Sequence, residues 1–270
     1  GSKFPRSTSS RSPPRIRDLK YSNYKSSDGE LYYRPGTVLE AIRLRVLRQC
    51  SSFSGSELFE EDPSSGPRNA VHISLDSVEE LREIIFDDGH WEIGTGVTLR
   101  SFAERLRAEF SLIDDFCKRF TDTHFVNRFT VLEEFGSAGP GSGILTVLLS
   151  LGAGTIIDGL DERRTMSLEE LLYEETLSGV GEQELITAVT VPGKGDSKTL
   201  TSYYQVMEGP YEKAPIIRAS FLVEIDSKNR VSGSRIWFDT GSGLPIRFDS
   251  AEKLIKGRSW TRELLSLIHI

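Results

Sequence analysis

The chain has 270 residues, 37% of them hydrophobic and 27% charged, with a mean hydropathy of −0.29. That length predicts about two domains, and the composition excludes a collagen-like, coiled-coil or wholly disordered chain. The longest apolar stretch, Ile144 to Ala153, is interrupted by Thr146, Ser150 and Gly152 and falls far short of the roughly 20 residues of a membrane span.

Charge divides the chain unevenly. Residues 1–27 carry seven Lys/Arg against Asp18 alone, whereas the remainder holds 26 Lys/Arg against 39 Asp/Glu. The acidic body argues against direct nucleic-acid binding, which needs cations against phosphate. The first segment also holds eight Ser and three Pro, too little apolar surface to offset its ordering entropy. It is expected to form an extended or disordered tail of residues 1–27. Its Arg-rich, Ser-rich, acid-poor character matches an organellar transit segment, which points to a mitochondrial or other organellar location. A plain flexible tail on a cytoplasmic protein is the alternative. A basic segment of this kind suits an acidic partner surface.

Within the body, Thr37-Val-Leu-Glu40, Ser77-Val-Glu-Glu80 and Ser167-Leu-Glu-Glu170 repeat the capping-box spacing. They predict helices to about Arg48, over 78–86 and over 168–174. Val71–Leu75, Trp91–Gly94, Thr155–Asp158 and Leu185–Val191 read as short strands. Thr98–Phe110 and Ile144–Leu151 read as helices, the second stopped by Gly152. Beyond a boundary near 193–199 the pattern turns to an antiparallel meander over Thr201–Val206, Ile216–Ile225 and Val231–Thr240, with a turn at Asp226–Asn229. Helices near 249–256 and 260–267 follow. The expected class is α+β, divided into the tail 1–27, a first body 28–195 and a C-terminal subdomain 196–270.

Familiar catalytic chemistry is absent from the motifs. His72, His90, His124 and His269 form no metal-ligand pattern, and no metal site is expected. There is no nucleophile elbow and no GxxxxGK[ST] loop. His72 lies in an apolar strand and reads as a packed histidine. Cys50 and Cys117 are too few for a disulfide framework or a four-thiolate cluster, and are expected as buried reduced thiols. Two glycine-bearing stretches, Ser54-Gly55-Ser56-Glu57 and Gly136–Gly143, could present backbone amides to a phosphate or serve as plain turns. Gly94-Thr95-Gly96 carries the weaker form of the same signal.

In order along the chain, these pieces resemble the FAD-binding subunit or domain of the molybdenum hydroxylases: xanthine dehydrogenase, aldehyde oxidase and the CO dehydrogenase flavoprotein. Tyr33–Ala41 is similar to the family's opening strand and helix. Val71–Leu75 with Val78–Arg82, and Trp91–Leu99, resemble its strand–"PEL" and "IGAxxTL" segments. Val126–Val131, Glu162–Glu170 and Glu184–Pro192 resemble "IRNRATI", "ERRTVPLEE" and the strand that closes the FAD region. Tyr203–Ile225 and Lys256–Leu264 resemble the C-terminal subdomain. The resemblance spans about residues 31–265. It implies a two-subdomain, PCMH-like FAD-binding body followed by a C-terminal antiparallel sheet with helices, as in the CO dehydrogenase flavoprotein.

It also implies where FAD would be held: Ser54, Gly55, Ser56, Glu57, Asn127, Thr130, Ser137, Pro140 and Ser142. At these loops the chain departs from the family. The first pyrophosphate loop, "GGTD" or "GNTE", is Ser54-Gly55-Ser56-Glu57. The second, "GGN", is Leu132-Glu133-Glu134, and "ASPxSDL" is Ala138–Ile144 with Gly139 and Gly143 in place of the first Ser and the Asp. A later basic segment has become Gln205–Gly209. Carboxylates repel a pyrophosphate, and a bulky residue denies it close approach. The expectation is therefore a non-catalytic accessory or structural subunit of a larger assembly, without a cofactor and with other protein subunits as partners. The alternative is a working FAD-binding electron-transfer subunit of a molybdenum-containing oxidoreductase. A third reading keeps the pocket for a less anionic ligand.

Overall fold

The computed structural model describes residues 22–25, 31–48, 52–54, 71–119, 123–131, 133, 143–173, 180–181, 183–195, 197–207, 215–240 and 244–264. Capping chemistry decides which of the expected helix starts form. Helix α1 (Val38–Arg48) opens where the Glu40 amide donates to Thr37 Oγ1 at 3.2 Å and the Glu40 carboxylate accepts from the Gly36 amide. Helix α6 (Leu168–Tyr173) opens on a reciprocal box. There the Ser167 amide donates to Glu170 and the Glu170 amide donates to Ser167 Oγ.

The helix expected over 78–86 does not form. Ser77 turns its hydroxyl to the Pro35 carbonyl, donating at 2.7 Å, and the turn that follows has no side-chain cap. A single 3-10 turn at Glu79–Arg82 gives way to strand β5 (Ile84–Asp87). The β-branched and aromatic run Ile84-Ile85-Phe86 favours a pleated strand. It pairs antiparallel with β6 (His90–Gly94) through a tight Asp88-Gly89 turn.

The strands make three sheets. The first orders β1 (Ser22–Lys25), β2 (Leu31–Arg34), β4 (Val71–Ser74) and β3 (Ser52–Ser54), with β2 and β3 parallel to β4 and β1 antiparallel to β2. Strand β1 corrects the expected tail. Residues 22–25 join the body's own sheet, because the free edge of β2 offers a ladder of backbone donors and acceptors; residues 1–21 lie outside the described residues. His72, on β4, is buried and stacks on Tyr32 at 4.8 Å, the packed role expected of it.

The second sheet is antiparallel, in the order β5-β6-β9-β7-β8, with β7 at Gly154–Gly159, β8 at Arg163–Ser167 and β9 at Glu184–Pro192. Its core is closed by α2 (Leu99–Leu106), α3 (Ser111–Cys117), α5 (Ile144–Leu151) and α6. Helix α2 ends four residues earlier than the sequence predicts, because the chain turns at Arg107–Glu109 to begin α3, an element the sequence reading does not include. Helix α4 (Thr123–Arg128) was also not anticipated. Helix α5 has the predicted bounds. It stops at Gly152, whose φ of +73° suits a residue without Cβ.

The third sheet is the expected meander: β10 (Lys198–Met207), β11 (Pro215–Ile225), β12 (Val231–Asp239) and the short β13 (Ile246–Arg247). The turn at Asp226–Asn229 is held by the Asp226 carboxylate, which accepts from the Lys228 and Arg230 amides. One face presents the registered row Tyr203, Ser220, Trp237 towards the main core. The other packs Val223, Ile225 and Val231 against Ile255 of α7 (Asp249–Ile255) and against Leu264. Of the helix expected over 260–267, residues 262–264 are helical and the rest lie outside the described residues. Among the described residues, no helix is long and apolar enough to cross a membrane.

Where α5 meets this sheet, Arg218 and Asp239 form an ion pair at 2.7 Å with side chains only 7% and 9% exposed. Removing one partner of such a pair leaves an uncompensated buried charge. Asp239→Ala is expected to lower unfolding free energy by about 3–5 kcal/mol in a denaturant titration, whereas Asp249→Ala, at an exposed pair with Lys253, should leave the midpoint nearly unchanged.

Cys117 is half-buried rather than buried, and Cys50 lies outside the described residues. Burial, then the Asp114 charge, pushes the Cys117 thiol up to about 11. The folded protein thus holds its proton where an unfolded chain releases it, so this group's contribution to stability is full below about pH 9 and is lost as pH rises towards 11. Alkylation of Cys117 in the folded protein is expected to stay slow at pH 8 and to accelerate only above pH 10. A rate at pH 8 equal to that of the unfolded chain would contradict this.

Candidate functional site

The sequence places its candidate cofactor contacts on three supports: the end of β3, the segment after α4, and the start of α5. The first is only partly described. Ser54 ends β3 in register with Ser74 of β4, at the carboxyl end of two parallel strands. Nearby, Asp76 accepts from Ser74 Oγ and from Arg34, which forks onto both its oxygens at 2.6 and 2.7 Å. Gly55, Ser56 and Glu57 lie outside the described residues.

The second support is the most fully defined. Asn127 is exposed on α4, and Thr130 is buried. Residues 129–131 lie alongside 97–99: Thr98 and Thr130 form an antiparallel bridge, the Leu99 amide donates to the Phe129 carbonyl, and the Val131 amide donates to the Val97 carbonyl at 3.0 Å. The Thr130 amide donates to Glu133 Oε2 at 2.6 Å, and the Thr130 hydroxyl donates to the same oxygen at 3.3 Å. Val131 and Glu133 have helical backbone. A carboxylate returning to the amide at a helix start is half of a capping box, here with the short length of a charge-assisted bond. The sequence held the signal for this. Thr130-Val-Leu-Glu133 has the same S/T-x-x-E spacing that opens α1 and α6, but it was read only as an altered glycine loop. Leu132 and Glu134 lie outside the described residues.

The third support is Gly143, which caps α5 with φ +87° and no side-chain hydrogen bond to the helix. A Cβ at this position would come within 2.7 Å of Arg218 Cδ and 2.8 Å of the Tyr203 hydroxyl. The helix is fastened here to the third sheet: Arg218 is held by Asp239 across β11 and β12, and Ser220 Oγ donates to the Thr146 carbonyl. Ser137, Pro140 and Ser142 lie outside the described residues.

The Gly94-Thr95-Gly96 turn is structural. Thr95 is fully buried and its hydroxyl donates to the Ile186 carbonyl, while the Gly96 amide donates to the Leu81 carbonyl. It joins the 3-10 turn at Glu79–Arg82 to β9. Among the described residues, no group of three or more His, Cys, Asp or Glu side chains could hold a metal ion.

Solved structures of other proteins share this fold. Carbon monoxide dehydrogenase from Hydrogenophaga pseudoflava, in a form lacking the Mo-pyranopterin moiety, aligns over 86% of this chain and 82% of its own, at 20% identity and a TM-score of 0.74. Reconstituted CO dehydrogenase from Oligotropha carboxidovorans aligns over 90% and 85%, at 16% identity and 0.75. Quinoline 2-oxidoreductase from Pseudomonas putida 86 aligns over 92% and 85%, at 15% identity and 0.74. Likeness at these identities shows the fold alone. Comparison with curated protein sequences finds no match. The family model described as the FAD binding domain in molybdopterin dehydrogenase matches residues 22–194, which takes in β1 through β9 and all three supports. The chain belongs to that family.

Proposed function

We propose that this chain is a non-catalytic accessory or structural subunit of a larger protein assembly, built on a molybdenum-hydroxylase FAD-binding domain that no longer takes up FAD. The observation that carries this reading is the packing at Gly143. The family's "ASPxSDL" segment has an Asp at this position. Here the position is glycine, and the space a side chain would need is taken by Arg218 and Tyr203. Arg218 is in turn neutralised by Asp239 at 2.7 Å, so its charge is already committed. The segment that faces the cofactor in the family serves here as a joint between α5 and the third sheet. The residues present do not fit FAD at this support.

Other features agree with a role in assembly. The net positive segment 1–27 gives the chain a means of engaging an acidic partner surface. The same composition suits import into an organelle, and we assign the protein there on that ground. The division near residue 195 follows the change from the first two sheets to the meander. Fold alone leaves activity open, because function resides in sites, and here the site has been rebuilt.

The test is an absorbance spectrum of the purified full chain, repeated after incubation with excess FAD and gel filtration. Neither sample is expected to show flavin bands. FAD retained at one equivalent through both steps would overturn the reading and favour an electron-transfer subunit, with Ser54–Glu57, Asn127, Thr130, Ser137, Pro140 and Ser142 as its contacts.

A further inference from the structure

We infer that Glu133 is an internal plug that excludes phosphate-bearing ligands from the second loop. The inference deepens the flavin-free reading and rests on it. It concerns a different support from the one that carries that reading.

A backbone loop holds a phosphate when its N–H groups are unspent and point at the ligand. The two described amides that lead into the loop are both spent. The Val131 amide is committed to the Val97 carbonyl in the pairing that seats α2. The Thr130 amide is committed to Glu133 Oε2 at 2.6 Å, and the Thr130 hydroxyl reaches the same oxygen. Thr130 is 2% exposed, so an unpartnered amide there would be costly. The Glu133 carboxylate removes that cost from within the chain.

Two separate effects then act against a phosphate. The first is occupancy: a ligand seeking the Thr130 amide must displace a charge-assisted bond from a side chain tethered three residues away. The second is charge, because a displaced Glu133 leaves a carboxylate beside the incoming phosphate, and like charges at close range repel. Glycine at position 133, as in the family's "GGN", would impose neither effect.

The two effects are separable by substitution. Glu133→Gln removes the charge but keeps an oxygen that can accept from Thr130; Glu133→Ala removes both. The full chain and both variants are titrated with ADP and with FAD, and exchange of the Thr130 amide proton is followed by NMR. ADP affinity is expected to rise in the order wild type, Gln, Ala, with Ala about tenfold or more above wild type. The Thr130 amide should be protected in the wild type and in Gln and should exchange freely in Ala. An Ala variant whose Thr130 amide is freed but whose ADP affinity equals the wild type's would overturn the plug and leave the flavin-free reading standing. A Thr130 amide still protected in Ala would overturn it as well, by showing that Glu133 does not hold that group. If Ala fails to fold, Gln alone decides: affinity above wild type supports the charge effect, and no change refutes it. A wild type that retains FAD would sink the accessory-subunit reading and the plug with it.

Discussion

Much of this molecule depends on one buried ion pair. Arg218 and Asp239 face each other across neighbouring strands of the third sheet, beneath the first turn of α5. Two charges at this depth are tolerated only when each satisfies the other with good geometry. Meeting that condition fixes the register of β11 on β12 and brings the meander against α5. It also places the Arg218 side chain where only glycine can stand at position 143. The joint between the two halves of the chain and the bare glycine at position 143 are thus two consequences of one packing solution.

Further contacts reinforce the joint at intervals along the interface. Ser111, at the start of α3, donates to the Thr201 carbonyl on β10, and Ser202 donates to Asp115. Arg247 on β13 engages Glu169 of α6 and Glu252 of α7 together, linking three elements through one guanidinium. On the other side, Arg45 of α1 donates to the Glu184 carbonyl, while Arg164 forks onto the Glu184 carboxylate at 2.9 Å on both oxygens. That fork, assisted by the Gly181 amide, holds the Glu184 carboxyl below the usual carboxylate range. Arginine recurs at these junctions because its planar fork can meet two acceptors at once.

One local device has two uses in this chain. A Thr or Ser followed three residues later by Glu opens α1 and α6, where it does no more than satisfy helix-start amides. At Thr130–Glu133 only the carboxylate half of that device is made: the Glu133 carboxylate accepts from the Thr130 amide, beside the pairing of residues 129–131 with 97–99.

The sequence alone determined the α+β class and part of the order of elements, through periodicity and capping. Helix α5, stopped at Gly152, and the meander around the Asp226–Asn229 turn were readable because their signals are local. The ordered family-like segments also carried the fold. Tertiary structure decided the rest. The Ser77-Val-Glu-Glu80 box opened no helix: the Ser77 hydroxyl is turned to Pro35, 42 residues away in sequence, Ile84–Asp87 pair with β6, and no local pattern records such partners. Residues 22–25 became a strand because β2 offered an edge, not because of their own composition. At the site, the sequence showed that Glu133 had replaced a glycine but not where its carboxylate would turn. Only the fold showed that Thr130 receives it, and only the register of β11 on β12 placed Arg218 against Gly143. Each of these depends on a partner distant in the chain or on the direction of a side chain, which the residue type does not specify.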